Sequence, residues 1–211
     1  APAGVCLKDA REILPENRVF LWQGKSYACF ADLFRYAVLR EFGGLYADTD
    51  IIAIVGPESL SHQSFLVTER SDGLVRSLFR SLLTYLIGAK RPRINNNLIY
   101  SARPKTGDII DLAYAFSDRY PVEKMNWGDI GPNLLTILAN EYPTIAFEVK
   151  EPEFANSIDW WNCPDKLLKP EVTLSKKAAF LHCYSGMWGA VNKNCPFPKH
   201  SLMAGFAEKY L

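Results

Sequence analysis

Apolar residues at Phe30, Leu33, Phe34, Ala37, Val38 and Leu39 recur with the spacing of one helix face, which predicts a helix from Cys29 to Phe42. Gly43 and Gly44 follow and end it, since glycine takes a left-handed cap at low cost. Leu45 to Ala47 and Ile51 to Val55 then read as strand on either side of Asp48-Thr49-Asp50, and Gly56-Pro57 breaks the run. Upstream, the apolar run Val19 to Trp22 after the Pro15–Arg18 turn reads as a short buried strand. Downstream, strands are expected at Phe65 to Thr68, Asn96 to Tyr100, Ile145 to Val149 and Ala178 to His182. Helices are expected at Leu74 to Ile87, Gly107 to Tyr120 and Asn133 to Glu141, the last opened by a turn at Asp129 to Pro132. The proline-rich stretches Lys150–Pro170 and Cys195–Pro198 read as surface loops. Alternating strands and helices argue for an α/β sandwich around a mostly parallel sheet.

Composition narrows the class. A chain of 211 residues, 48% hydrophobic and 13% aromatic, is a folded globular protein and reads as one domain over residues 1–211. A net charge of +1, with acidic and basic residues interspersed, points away from nucleic acid and from electrostatic membrane attachment. The cluster Lys90, Arg91 and Arg93 reads as a solvated loop. Cys6, Cys29, Cys163, Cys183 and Cys195 are odd in number and loosely spaced, which suits reduced thiols in a cytoplasmic setting. No leader-like start and no membrane-length apolar run is read; Leu74 to Ala89 is interrupted by Arg76 and Arg80.

Four groups of residues carry candidate chemistry. Asp48 and Asp50, read as extended chain, point to the same side at a strand exit. Two hard carboxylates converging there suit Mg²⁺ or Mn²⁺ and a phosphate-bearing substrate; a bare Asp-x-Asp is also common as a polar turn. Asp32 and Arg35 stand three apart on one face of the preceding helix, as an ion pair or as partners for sugar hydroxyls. Asn95-Asn96-Asn97 is either a turn or a set of hydroxyl and phosphate binders. His182 to Trp188 (HCYSGMW) places an imidazole at a strand end, fit to complete a Mn²⁺ site, before Ser185-Gly186, which could wrap a phosphate. Trp188 either stacks on a ring or fills core.

Taken in order, ADLFRYAVLREFGGLYADTDI, INNNLIYSARP, GDIGPNLLT and AAFLHCYSGMW resemble the DXD-containing GT-A glycosyltransferases. The related branches are the yeast-type initiating mannosyltransferases, the bacterial capsular sugar transferases and, more remotely, the glucosylating clostridial toxins. The resemblance implies a GT-A-type, Rossmann-like α/β/α sandwich around a mostly parallel mixed sheet. It also implies a Mn²⁺- or Mg²⁺-dependent hexosyltransferase using a UDP-sugar, with a GDP-sugar as the other option. The acceptor would be a glycan or glycoprotein, and the chain a monomer or part of a longer multidomain protein. By position, Asp48, Asp50 and His182 are the implied metal site, and Asp48, Asp50 and Asn96 the catalytic set. Asp32, Arg35, Tyr46, Asp48, Asn96, Ser185, Gly186 and Trp188 are the implied donor site. The opening APAGVCLKDA departs from the family's apolar first strand, which helps hold the nucleotide base.

The implied reaction is transfer of a hexose or deoxyhexose to an acceptor hydroxyl, with retention and no assigned protein nucleophile. Asp129 is read as a cap for the helix at Asn133, with help to the acceptor as the alternative. A haloacid-dehalogenase-type phosphohydrolase also uses Asp-x-Asp after a strand, but wants glycine where Ile51 stands and a later acidic pair that GDIGPN lacks. A non-catalytic nucleotide-sugar-binding module is the third reading.

Overall fold

The computed structural model describes residues 4–60, 62–70, 92–102, 107–142, 147–189 and 196–210. The helix expected at Leu74 to Ile87, as well as Lys90, Arg91 and Cys195, lies outside them. Helix α1 (Ala28–Phe42) forms where the apolar stripe predicts it, and buries Leu33, Tyr36 and Leu39. The Ala28 amide donates to the Ser26 hydroxyl at 3.2 Å, meeting one of the unpaired donors of the first turn. At the other end the Gly43 amide donates to the Leu39 carbonyl at 2.7 Å, with φ 65° and ψ −152°. A side chain would strain that backbone, so glycine is what lets the helix turn at once into a strand.

The strands are β1 (Gly44–Ala47), β2 (Ile51–Ala53), β3 (Phe65–Thr68), β4 (Ile94–Ser101), β5 (Glu148–Lys150) and β6 (Phe180–His182). Four of them form a sheet in the order β1-β4-β3-β5, and β2 pairs with β6 in a separate ribbon. The α/β class and the mixed sheet agree with expectation. The weight on parallel pairing does not: β4 is antiparallel to β1 and β3, the ribbon is antiparallel, and β3–β5 is the parallel pair among the described strands. A parallel neighbour needs a long crossover. After β1 the aspartate turn instead sends the chain straight out of the sheet into the ribbon.

Helices α2 (Ile109–Arg119) and α3 (Pro132–Glu141) join α1 on one face of the sheet, around Leu39, Ile99, Ile110 and Leu135. The opposite face, with Phe65, Val67 and Leu98, meets Phe154, Ala155 and Phe180. Beyond the ribbon, Leu167, Leu181 and Trp188 pack with α4 (Asp165–Leu168) and α5 (Leu202–Tyr210). Helix α5 escaped the sequence reading because it is short and its apolar residues are only partly buried.

Two further expectations fail. Val19 to Trp22 forms no strand: Trp22 makes one bridge to Ser26, while Val19 and Leu21 are exposed. Gln23 and Gly24, both at positive φ, turn the chain into α1 before a ladder can grow. The stretch Lys150–Pro170 is no surface loop either, since Ala155, Asn156, Ile158 and Leu167 are buried. Its prolines open short helical turns, as at Pro152, where a missing amide costs nothing.

Candidate active site

Asp48 and Asp50 come together through a turn, not through strand alternation. The Ile51 amide donates to the Asp48 carbonyl at 3.1 Å, closing a four-residue turn between the sheet and the ribbon. Strand β4 anchors its first half, with the Asp48 amide donating to the Asn97 carbonyl at 2.9 Å. Strand β6 anchors its second half, with Ile51 opposite His182 and the Cys183 amide donating to the Asp50 carbonyl at 2.9 Å. That register brings the His182 Nε2 to 3.3 Å from Asp50 Oδ1. The Ser185 amide donates to Asp50 Oδ2 at 2.7 Å. Burial works against charge on Asp50, but hydrogen bonding and charge from His182, with the Ser185 bonds, hold its carboxyl well below the usual range.

Arg35 organises the other half of the site. It is buried, with its guanidinium 3.1 Å from Asp32 Oδ1, 3.3 Å from Asp48 Oδ1 and 4.7 Å from the Tyr46 ring centre. The same guanidinium donates to the Asn96 carbonyl, and the Asn96 amide side chain donates to Asp32 Oδ1 at 2.7 Å. The Tyr46 hydroxyl donates to Asp48 Oδ1 at 2.9 Å, and burial keeps that phenol protonated. Burial also pushes the Asp32 carboxyl up to about 6, against the opposing pull of Arg35 and Asn96. Gly131 permits this packing: a Cβ there would stand 2.5 Å from Asp32 Oδ2 and 2.9 Å from Asn96 Nδ2.

These groups face one cleft of about 580 Å³, a size suited to a small-molecule ligand. Asp32, Arg35, Asp48, Asp50, Asn96, His182 and Gly186 line it. Tyr46 and Ser185 act from behind, on Asp48 and Asp50. Trp188 does not reach it: the indole is buried against Phe197 and donates to the Cys183 carbonyl at 2.8 Å, so it fills core. Asp129 caps no helix at Asn133; it accepts from the Asn126 amide at 2.8 Å and the Tyr120 hydroxyl at 3.1 Å, fixing the loop before α3. The three asparagines are strand, not turn, and each side chain is used: Asn95 on Glu69, Asn96 on Asp32, Asn97 on Asn156.

Sequence reasoning missed part of the cleft. Glu69, Arg70, Arg93, Trp127, Trp160 and Tyr184 also line it. Arg93 is no solvated loop residue, because it pairs with buried Glu69. Asn156 is buried and joins three elements, donating to the Thr68 carbonyl at 2.9 Å and accepting from Asn97 and Tyr184. The Tyr184 ring lies against His182, ring centres 3.7 Å apart and tilted by 36°. Among these, Tyr184 fell within the HCYSGMW motif and Arg93 within the basic cluster, but neither was read as part of the site.

One oxygen each of Asp48 and Asp50 and one nitrogen of His182 lie within 4.8 Å of one another. Two carboxylates and an imidazole form a donor set suited to Mn²⁺ or a similar divalent ion. The residues present therefore fit the expected metal.

Residues 6–66 match the family model described as a glycosyltransferase sugar-binding region containing a DXD motif. No curated protein matches the chain significantly. The matched segment holds α1, the aspartate turn and the first residues of β3, and so the wall that carries Asp32, Arg35, Asp48 and Asp50. Family-wide, the match supports glycosyl transfer from a nucleotide-sugar donor, usually with a divalent metal. Over this segment, the chain is similar to the DXD-containing glycosyltransferases.

Proposed function

We propose that the protein is a divalent-metal-dependent hexosyltransferase, working as a single GT-A-type domain. It moves a hexose or deoxyhexose from a UDP-sugar, or alternatively a GDP-sugar, to a hydroxyl of a glycan or glycoprotein acceptor, with retention. The observation that carries this reading is the convergence of two sets in one cleft: Asp48–Asp50–His182 and Asp32–Arg35–Asn96. The first set suits a metal with a diphosphate; the second suits a sugar.

Asp48, Asp50 and His182 would hold Mn²⁺ or Mg²⁺, which supplies neutralisation of the diphosphate as it leaves. Asp50 remains ionised because His182 and the Ser185 amide hold it so. Asp48 is kept in place by the Tyr46 hydroxyl and by Arg35. Asp32 and Asn96, locked to each other and to Arg35, present fixed acceptors and donors to sugar hydroxyls near the reacting carbon. Gly186, with open space where a side chain would be, leaves room for a diphosphate against the loop after β6. Trp188 supports that loop from beneath.

The test is release of nucleoside diphosphate from a panel of UDP- and GDP-sugars with Mn²⁺, and with EDTA as control. Metal-dependent release from one donor is expected. Release of free phosphate from simple phosphate esters, with no donor cleaved, would move the protein to the hydrolases.

A further inference from the structure

The cleft is longer than its donor end. Two backbone bonds mark its ends: the Asp48 amide donates to the Asn97 carbonyl, and the Glu69 amide to that of Arg93, each at 2.9 Å. The two anchors are four residues apart, and the register shift of β4 against β3 falls beside them. The walls of the far end differ in character from the donor end. Trp127 is 58% exposed in the cleft, with the Arg93 guanidinium 5.8 Å from its ring centre. Trp160, half-buried and set edge-on to Trp161, lines the same region.

Both guanidiniums at this end already face carboxylates, two cations against three acids. Arg93 pairs with Glu69, which also accepts from Asn95 at 2.6 Å. Arg70 pairs with Glu153 and, at 2.8 Å, with Asp159. Among the described residues, three carboxylates against two guanidiniums disfavour an anionic ligand, whereas the paired groups can still bond hydroxyls. An exposed indole beside ion-paired polar groups suits a ring with one apolar C–H face and a rim of hydroxyls.

We infer that Trp127, Arg93, Glu69 and Arg70 form an acceptor subsite for a neutral pyranose that stacks on the Trp127 indole. The acceptor role rests on the transferase reading above; the sugar site itself does not. Binding separates the two. Methyl hexopyranosides of the gluco, galacto and manno series, methyl glucuronide, and uridine and guanosine are each titrated against the protein by saturation-transfer NMR and calorimetry.

At least one neutral methyl hexoside binds, its glucuronide analogue binds no better, and W127A weakens binding at least tenfold while W127F retains most of it. Mn²⁺ affinity, unchanged in W127A, certifies the fold. The inference is overturned if no neutral hexoside binds, if W127A binds as the wild type does, or if the glucuronide is preferred. It is equally overturned if W127A loses nucleoside binding and keeps the hexoside. Failure of every nucleotide sugar to be cleaved would remove the transferase reading and leave the glycoside result to stand by itself.

Discussion

Arg35 is the residue on which the site most depends. It is buried with carboxylates on two sides, so its removal leaves Asp32 and Asp48 uncompensated. Breaking such a pair from one side costs about 3–5 kcal/mol. R35A should lose that much in urea unfolding, and R35K should recover only part, because an ammonium cannot reach Asp32, Asp48 and the Asn96 carbonyl together. Full stability in R35A would contradict the packing described. Asp32 gives a pH signature of definite sign. Its folded carboxyl is raised to about 6, so the folded state holds a proton there that the unfolded chain releases near pH ~4. The stability it contributes is complete below about pH 4 and is lost as pH rises through about 6, on the order of 3 kcal/mol. The stability difference between wild type and D32N should change by that order across the window, whereas a constant difference would show that Asp32 titrates normally. Asp50, with its carboxyl depressed, acts in the opposite sense at more acid pH. The sequence made Asp32 and Arg35 legible as a pair by their spacing. It gave no hint that Arg35 also reaches Asp48, because that contact depends on how α1 lies against β1.

At the scale of elements, the site is a product of register. β4 sets the first aspartate, β6 sets the second beside His182, and the loop before α3 closes on Asp32 and Asn96 through Gly131. G131A should therefore force Asp32 or Asn96 aside, at a cost of about 1–3 kcal/mol in unfolding free energy. Its larger effect should be a raised donor KM, read by steady-state kinetics on the donor that the wild type cleaves. An unchanged KM would detach this loop from the donor end. Helix α1, the strands around the turn, α2 and α3 were readable because each has its own apolar period and its own stop signals. Strand direction was not, since buried strands look alike in either sense. The convergence of Asp48 and Asp50 was expected from alternation along a strand and is produced by a turn; residue spacing alone does not separate those two causes.

At the scale of the molecule, the cleft joins elements far apart in sequence: α1, the aspartate turn, the β3–β4 edge, the 126–132 loop and the loop after β6. Only the first two fall within the family match at residues 6–66; the sequence reading went beyond it to Asn96, His182 and Gly186 but did not place Glu69, Arg93 and Trp127 in the site. The buried Asn156 ties the two sides by bonding β3, Asn97 beside the turn, and the hydroxyl of Tyr184, whose ring lies against His182. No helix among the described residues is long and apolar enough to cross a membrane. In the proposed function, the Asp48–Asp50–His182 corner is a divalent-ion site made for a diphosphate. Its most direct test is a Mn²⁺ titration followed by electron paramagnetic resonance, with and without UDP or GDP, on the wild type, D50N and H182A. The account predicts one ion per chain, bound about tenfold more tightly with the diphosphate present, and lost in D50N. Mn²⁺ bound equally well by D50N, or not bound by the wild type even with a diphosphate, would contradict it.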